Sequence, residues 1–312
     1  MVTVAIAGGT GHIGLTIAEV LKKNPNHRVI VLSRTVRAPD TQDNAAPVIA
    51  TDYTNIDALA HLLETNAVHT IVSALSLKTP SGSAAELNLI AAASKSSTTK
   101  RFIASDWAAP IPSDPTLHLP QDTLRLSTIA ALSHTSLEWT ALHVGQIADY
   151  LGTPHLRSHM GVYALHIDMA HRSAAIPGTG DDEISFTYSG DIALFVEAVL
   201  DMPVWEREMS CYSDCCSLND VVRVAEDATG TKFNVTHDSV DKLERGEMTE
   251  LPSHRSLYPL MGKTAVQKRF ATFGLLTVKG LLRLPEEGSL NRLFPHIKTM
   301  TVAEIVGAWR GK

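Results

Sequence analysis

Three glycines near the N-terminus, Gly8, Gly11 and Gly14, follow the spacing G-x-x-G-x-x-G within the segment AIAGGTGHIG. The apolar run before them predicts a strand and the segment after them predicts a helix, which is the context that a dinucleotide-binding turn requires. One glycine allows the tight turn, another lets the backbone approach a pyrophosphate, and the last lets the helix pack on the strand. Free N–H groups and the helix dipole attract phosphate there. The predicted contacts are Gly8, Thr10, Gly11, His12, Ile13 and Gly14; the alternative is a glycine-rich turn that binds no ligand.

The residue that ends the second predicted strand indicates which dinucleotide is bound. Arg34 lies twenty residues after Gly14, with Ser33 before it and Arg37 shortly after. An NAD enzyme would place an acidic residue at this distance to bind the ribose 2′-hydroxyl. A guanidinium instead binds a 2′-phosphate through paired hydrogen bonds. The sequence therefore favours NADP, held in part by Ser33 and Arg34, over an exposed arginine with no ligand.

The elements that must position these residues alternate between short apolar strands and helical segments, a pattern typical of parallel βαβ units. Strands are predicted at 2–7, 27–33, 48–53, 69–75, 101–105 and 137–143. Helices are predicted at 13–23, 56–64, 84–95 and 123–132. The predicted fold class is α/β: a Rossmann, doubly wound parallel sheet with a smaller C-terminal substrate-cap region.

The second half of the chain is less regular. Two helices stand out, at 190–200 and at 217–229, and the second opens with Ser217 and Asp220 in capping-box spacing before Gly230. We predict a Rossmann core at 1–150 with return elements at 187–232, and a substrate-binding cap at 151–186 and 233–312.

Composition excludes several classes of function. The chain has 312 residues, of which 44% are hydrophobic and 19% charged, and its net charge of −6 is spread without a basic block. Nucleic-acid binding is not expected, since it needs concentrated lysine and arginine. No apolar run approaches the ~20 residues that cross a bilayer, and the apolar N-terminus runs into the glycine motif as a strand rather than a signal peptide.

The cysteines and histidines do not predict a disulfide framework or a metal site. Cys211, Cys215 and Cys216 lie together without paired Cys-x-x-Cys units, which favours free thiols in a reducing cytoplasm. His155 and His159 are four residues apart, but no carboxylate or cysteine shares their spacing.

Several longer segments carry a family resemblance. They are KRFIASDW (residues 100–107), LEWTALHVGQIADY (137–150) and AAIPGTGDDEISFTYSGDIALFVEAVL (174–200). Together with the glycine motif they resemble the NmrA-like, isoflavone-reductase-like family of atypical short-chain dehydrogenases, over roughly the first 235 residues. The resemblance implies NADPH at the strand ends and reduction of small secondary metabolites or lignan-type phenolics. The family also includes members that bind the dinucleotide and regulate transcription factors without turnover.

The resemblance implies further cofactor contacts at two strand ends. Asp52 with Tyr53 matches the acidic position that ends the third strand, near the adenine, and a turn-forming role is the alternative for Asp52. Ala74 and Leu75 match the loop after the fourth strand, which lines the dinucleotide.

The catalytic pair of ordinary short-chain dehydrogenases, Tyr-x-x-x-Lys, is missing, because Tyr150 and Tyr163 are followed four residues later by Pro154 and Ile167. Reductases of the resembling family instead place a lysine fifteen residues before the threonine of the sixth strand. Counting back from Thr140 reaches Arg125. Arginine cannot act as a general base, although it can bind the nicotinamide ribose or stabilise an oxyanion. A solvent-facing helix arginine is the alternative.

Other candidates for proton transfer come from the strand ends, where open α/β sheets bind their ligands. Ser105 and Asp106 follow the fifth strand, His143 ends the sixth, and Tyr150 lies in the following loop. Each has a structural alternative: Asp106 as a turn cap, His143 as a core histidine, and Tyr150 as a packing residue.

The leading functional hypothesis is an NADPH-dependent reductase of a small aromatic or polyketide-like metabolite. Because the lysine is missing, a redox-silent isomerase, cyclase or dehydratase on the same scaffold is the first alternative. A non-catalytic NADP-sensing transcriptional co-regulator of NmrA type is the second. The substrate and the oligomeric state, a homodimer included, stay open.

Overall fold

The computed structural model describes residues 2–35 and 46–312. Its contacts divide the chain into two compact units. The first unit comprises Met1–Trp107, Pro120–His143 and Ile192–Met209. The second unit comprises Ala108–Leu119, Val144–Asp191 and Ser210–Lys312. Among the described residues, no helix has both the length and the apolar character needed to span a membrane.

The strands, in chain order, are β1 (Val2–Ala7), β2 (His27–Ser33), β3 (Val48–Ala50), β4 (Val68–Ser73), β5 (Arg101–Ile103), β6 (Glu138–His143), β7 (Gln146–Ile147), β8 (Ile167–Asp168), β9 (Ser173–Pro177), β10 (Glu183–Thr187), β11 (Glu208–Ser210), β12 (Asp214–Ser217) and β13 (Asn234–Asp238). The helices are α1 (His12–Leu21), α2 (Ile56–Thr65), α3 (Pro80–Lys95), α4 (Asp122–Ser133), α5 (Asp149–Gly152), α6 (Ser189–Leu200), α7 (Leu218–Thr229), α8 (Val240–Glu244), α9 (Tyr258–Met261), α10 (Lys263–Val278), α11 (Leu290–Leu293) and α12 (Val302–Val306).

The first unit is built on a sheet with the strand order β11-β6-β5-β4-β1-β2-β3. The neighbouring strands from β3 to β6 pair in parallel. The order therefore reverses between β1 and β4, which is the switch point where Rossmann folds bind dinucleotides. Ile30, Leu32, Ile71 and Phe102 are among its fully buried side chains, as expected for the apolar strands of a covered parallel sheet. The predicted α/β Rossmann fold is confirmed.

The predicted strands and helices of this unit are all present, with some ends displaced. Strand β5 ends at Ile103 rather than at Ser105, because the N–H of Asp106 bonds Ala104 O at 2.8 Å and turns the chain. Helix α3 begins at Pro80 rather than at Ala84, because the hydroxyl of Thr79 caps it at the N–H of Gly82. Strands β3 and β4 end before Tyr53 and Leu75. The candidate residues therefore lie in the loops after the strands.

The second unit contains two small sheets, β12-β10-β7 and β13-β9-β8. Helix α7 has the predicted capping box, with Ser217 as its N-cap and Gly230 ending it at φ +64°. Its apolar face packs in one cluster with Phe186 of β10 and Ile305 of α12. Residues 210–232 thus belong to the second unit, whereas the sequence assigned them to the Rossmann core; α6 contributes residues 192–200 to the first unit.

Candidate dinucleotide-binding site

The glycine loop after β1 requires glycine at two of its three motif positions for reasons of packing. Gly8 has φ +76°, and a Cβ there would lie 2.6 Å from the backbone oxygen of Ala74. A Cβ on Gly14 would lie 2.4 Å from the backbone oxygen of Gly8. Real side chains do not tolerate such distances to backbone atoms. These two glycines let the start of α1 approach β1 and the loop after β4.

Gly11 differs from its neighbours in the motif. It is the N-cap of α1 in an extended conformation, φ −123° and ψ 148°, which any residue adopts. The nearest atom to a Cβ at this position is Gly8 O at 3.8 Å, an ordinary van der Waals contact. The fold itself therefore does not require glycine here. The open space leaves room for a phosphate to lie against the N–H groups of the helix start, so the loop fits a dinucleotide. His12 and Ile13 begin the helix, with His12 exposed.

The end of β2 lies beside this loop. The hydroxyl of Ser33 is 3.3 Å from that of Thr10, so two predicted contacts are brought together. Ser33 is buried and its hydroxyl also donates to Thr35 O at 2.9 Å. Arg34 is exposed at the strand end, where a long cationic side chain is able to reach a ligand. Arg37 lies outside the described residues.

Asp52 and Tyr53 both have structural roles in the described chain. The carboxylate of Asp52 accepts hydrogen bonds from the N–H and the hydroxyl of Thr54 at 2.9 and 2.7 Å, and these bonds lower its pKa. The hydroxyl of buried Tyr53 donates to Leu32 O at 3.0 Å, and burial raises its pKa. Asp52 therefore forms a turn and Tyr53 braces the end of β2; their contact with an adenine stays a prediction.

The loop after β4 contacts both the glycine loop and the end of β5. Ala74 donates its N–H to Ala7 O at 2.8 Å, and its backbone oxygen is the atom that excludes a side chain at Gly8. The backbone oxygen of Leu75 accepts the hydroxyl of Ser105 at 2.7 Å. Ser105, a predicted catalytic residue, is thus adjacent to the predicted cofactor contacts Ala74 and Leu75.

Glu86 is a functional candidate that the sequence interpretation missed. It lies on α3 and is fully buried. One carboxylate oxygen contacts the hydroxyl of Ser73, and the other accepts the N–H of Ser105 at 3.1 Å. Burial raises the pKa of Glu86 to about 7, and the two hydrogen bonds oppose that rise. Glu86 shares a helix face with Leu89 and Ala93, and an acidic residue in an apolar stripe is the signal that could have identified it.

Replacing Glu86 by glutamine should change how stability depends on pH. The pKa of Glu86 is about 7 in the folded chain against an ordinary value of 4.5. Its protonated form therefore stabilises the folded state fully below pH 4.5, and this contribution is lost as the pH rises through 7. We expect the variant to gain stability relative to wild type by on the order of 3 kcal/mol between pH 4.5 and 8. Urea denaturation at both pH values measures it.

The control for Glu86→Gln is Glu206→Gln, which changes an exposed glutamate of the first unit. Its stability relative to wild type should be the same at both pH values. The stability difference between Glu86→Gln and wild type should change with pH. If it is the same at both pH values, Glu86 is not the carboxyl that titrates near neutrality.

Arg125 and Asp106, two predicted catalytic residues, are paired in the interior of the first unit. The guanidinium of Arg125, on α4, contacts the carboxylate of Asp106 and donates to Asp122 Oδ1 at 2.9 Å. The three side chains are 7%, 5% and 2% exposed. Arg125 is therefore not the solvent-facing arginine of the alternative interpretation. Burial raises the pKa of Asp106, and Arg125 opposes that rise.

The remaining candidates are placed as follows. His143 ends β6 as predicted and is buried, with its Nε2 3.9 Å from a carboxylate oxygen of Glu208. Tyr150 lies on α5 in the second unit, its ring centroid 5.0 Å from that of Tyr163. Burial raises the pKa of Tyr150 to about 12, so its hydroxyl stays protonated at neutral pH. Four of the five predicted catalytic residues lie in the first unit, at strand ends or on α4: Ser105, Asp106, Arg125 and His143. Tyr150 lies in the second unit.

Within residues 2–35 and 46–312, no group of three histidine, cysteine or acidic side chains is placed to hold a metal ion. His155 packs edge-on against Trp309, with ring centroids 4.5 Å apart. The three cysteines are free thiols, with Cys211 buried.

Comparisons with known proteins agree with this geometry. Residues 8–157 match a family model described as NAD(P)H-binding. The oxidoreductase BOA1 of Botryotinia fuckeliana is 31% identical, over 95% of this chain and 96% of its own length. The oxidoreductase swnN of Metarhizium robertsii is 30% identical, over 97% and 96%. The NADPH complex of leucoanthocyanidin reductase from Vitis vinifera superposes with a TM-score of 0.77 at 18% identity, covering 98% of this chain and 99% of that one.

Proposed function

Since the chain belongs to the same family as the oxidoreductases BOA1 and swnN, we propose that it is an NADPH-dependent reductase of the NmrA-like, isoflavone-reductase-like type that acts on a small aromatic or polyketide-like metabolite. The observation that carries the proposal is the glycine loop at the switch point of the sheet, in which packing requires Gly8 and Gly14 but leaves open space at Gly11. A cytoplasmic location is part of the proposal, because all three cysteines are free thiols.

Different residues of the first unit are proposed to bind different parts of NADPH. Bound NADPH supplies a hydride to a substrate carbon. The N–H groups of His12, Ile13 and Gly14 at the start of α1 would hold the pyrophosphate, and the guanidinium of Arg34 would hold the 2′-phosphate. The loop at Ala74 and Leu75, which Ser105 holds through a hydrogen bond to Leu75 O, would line the dinucleotide.

Arg125 acts differently in this proposal from the lysine of the resembling reductases. Its guanidinium is shared by two buried carboxylates, so its positive charge is already balanced and a developing oxyanion gains little from it. We assign it the role of a positioning residue, which holds the carboxyl of Asp106 at the end of β5. Because Asp106 is ionised in this pair, we assign the transferred proton to a water molecule that its carboxylate orients.

The pairing of Arg125 with two buried carboxylates also supports a second candidate function. An enzyme whose family lysine is replaced by an ion-paired arginine is suited to a redox-silent isomerisation, cyclisation or dehydration of its substrate on the same scaffold. Stopped-flow absorbance at 340 nm with carbonyl and enone candidates, run beside mass spectrometry of the products, separates the two. Stoichiometric loss of NADPH supports the reductase, product without loss of NADPH supports the second candidate, and no turnover across a broad panel supports a dinucleotide-sensing regulator.

The preference for NADPH is tested by Arg34→Asp. The substitution removes a guanidinium and places a carboxylate beside the 2′-phosphate, so we expect the Kd for NADPH to rise about 100-fold, the equivalent of one strong charge-assisted pair. The Kd for NADH should change by less than about threefold, since NADH has no 2′-phosphate. Isothermal titration calorimetry with both nucleotides measures the two values.

A matched control is Arg28→Asp, which reverses the charge of a second exposed arginine, one that lies on β2 near its start. It should leave both dissociation constants near their wild-type values. Equal losses of NADPH and NADH affinity in Arg34→Asp would rule out the 2′-phosphate contact.

A further inference from the structure

The second unit contains a small cavity with polar atoms that lack protein partners. Its volume is about 10 Å³, which admits one group the size of a water molecule. Gln146, Tyr150, Tyr163, His166 and Phe186 are among the residues that line it. Within the described chain, no hydrogen bond of good geometry reaches either ring nitrogen of His166 or Oε1 of Gln146, although the imidazole also interacts with the backbone of Ala175.

The chemistry of His166 defines what the cavity can accept. The side chain is 1% exposed, and burial lowers its pKa to about 4. The imidazole is therefore neutral at physiological pH and offers one N–H donor and one bare nitrogen acceptor. Gln146 Oε1 adds a second acceptor. A buried polar atom without a partner costs about 1–3 kcal/mol, so two side chains with such atoms at one cavity, His166 and Gln146, favour a polar occupant.

The walls of the cavity are apolar and aromatic. Tyr150 and Tyr163 lie with their ring centroids 5.0 Å apart at a 55° tilt, and Tyr163 packs edge-on against Phe270 at 5.9 Å. Leu218 and Phe186 come from the surrounding core. An apolar, aromatic lining with a few convergent polar groups is typical of small-molecule sites. The volume is far below that of a whole ligand, so the cavity suits one substituent of a ring rather than the ring.

We propose that His166 and Gln146 form a subsite for a single hydroxyl group on an aromatic ligand. A hydroxyl accepts the N–H of His166 and donates to Gln146 Oε1, whereas a carbonyl oxygen only accepts and leaves Gln146 without a partner. The ring that carries the hydroxyl packs against the tyrosine wall. Naming this ligand as the substrate rests on the proposed reductase function; the recognition of a hydroxyl does not.

The test uses phenol and toluene, two rings of nearly equal size that differ in the hydroxyl. The full chain is labelled with ¹⁵N-histidine, and the His166 imidazole signal is identified by its loss in His166→Phe. We expect phenol to shift the His166 nitrogen resonances and to bind at least tenfold more tightly than toluene. His166→Phe and Gln146→Leu should each weaken phenol at least tenfold. His296→Phe, which changes an exposed histidine of the same unit, should not.

Each other outcome overturns the subsite. Equal affinities for the two rings make the cavity an apolar pocket. A His166 signal that does not respond to phenol leaves a structural water as the only occupant. The Gln146→Leu variant and the wild-type comparison keep the test decisive should His166→Phe fail to fold.

An NADPH titration of the same samples separates this proposal from the proposed function. If the protein recognises phenol but does not bind NADPH, the proposed reductase function is rejected and the proposed subsite stands. If it binds NADPH but does not recognise phenol, the subsite is rejected and the reductase function stands.

Discussion

Replacing Arg125 by leucine is expected to lower the free energy of unfolding by about 3–5 kcal/mol. The guanidinium is paired with the carboxylates of Asp106 and Asp122, and all three side chains are buried. Leucine fills much of the volume but leaves two acidic groups in the interior without a cation. Both carboxyls must then be protonated or draw water inwards, and either change costs more than the lost hydrogen bonds. Urea denaturation at pH 7 measures the difference.

Two control variants separate the charge from the packing. Arg125→Lys keeps a cation but loses the paired donors, so it should cost less than half as much as Arg125→Leu. Arg28→Leu removes an exposed arginine of the same unit and should change stability by less than about 1 kcal/mol. A wild-type unfolding midpoint for Arg125→Leu would show that the ion pairs do not persist in solution, and Arg125 would again be available as an oxyanion contact.

Arg125→Lys also tests the proposed role of Arg125 in the mechanism. If Arg125 positions Asp106, then Arg125→Lys should lower kcat more than it weakens NADPH binding, because Asp106 lies at the end of β5 and the glycine loop is held by other contacts. It should also shift the pH profile of kcat, since Arg125 opposes the rise in the pKa of Asp106. A purely structural arginine would lower stability and leave the pH profile unchanged.

The nucleotide-binding half of the fold was predictable from the sequence because its signals are local. Strand, glycine turn and helix follow one another within a few residues, and the parallel order of the strands comes from the alternation of apolar runs and helices. Arg34 and Ser33 were found by counting along the chain. The structure then adds which of these residues touch, such as the hydroxyls of Thr10 and Ser33.

Long-range pairs were not predictable from local patterns. Arg125 and Asp106 were each identified, but on separate grounds; only the packing of α4 beside the end of β5 brings them together. Glu86 was missed because a single glutamate in a helix usually faces solvent. The Gln146 and His166 pair was missed because Gln146 lies on β7 and His166 directly precedes β8, and only the fold brings them to one cavity.

The assignment of α7 illustrates a different limit. Its capping box and its end at Gly230 were read correctly from the sequence, because both depend on residues within the helix. Which unit it packs in depends on the partner of its apolar face. Val221 and Ala225 look the same whether that partner is the parallel sheet or the cluster around Phe186. The capping signals of a helix therefore follow from the sequence more readily than its packing neighbours do.

The second large effect is expected from Gly11→Ala, which should raise the Kd for NADPH at least 100-fold while leaving thermal stability within about 1 kcal/mol of wild type. The backbone at Gly11 is extended, and a Cβ there meets nothing closer than Gly8 O at 3.8 Å. The added methyl group therefore costs the protein little. It occupies the face of the loop that a pyrophosphate must approach to reach the N–H groups of α1.

Gly14→Ala is the matched comparison, because it adds the same methyl group where the fold has no room. Its Cβ would lie 2.4 Å from Gly8 O and 3.0 Å from the Cβ of Ala74. The backbone must move, so this variant should lose about 1–3 kcal/mol of stability together with NADPH binding. Calorimetric titration with NADPH and thermal unfolding of both variants give a two-by-two comparison. If Gly11→Ala loses NADPH binding but keeps its thermal stability, while Gly14→Ala loses both, then Gly11 is needed for the ligand rather than for the fold. Retained NADPH affinity in Gly11→Ala would place the pyrophosphate elsewhere and remove the observation that carries the proposed function.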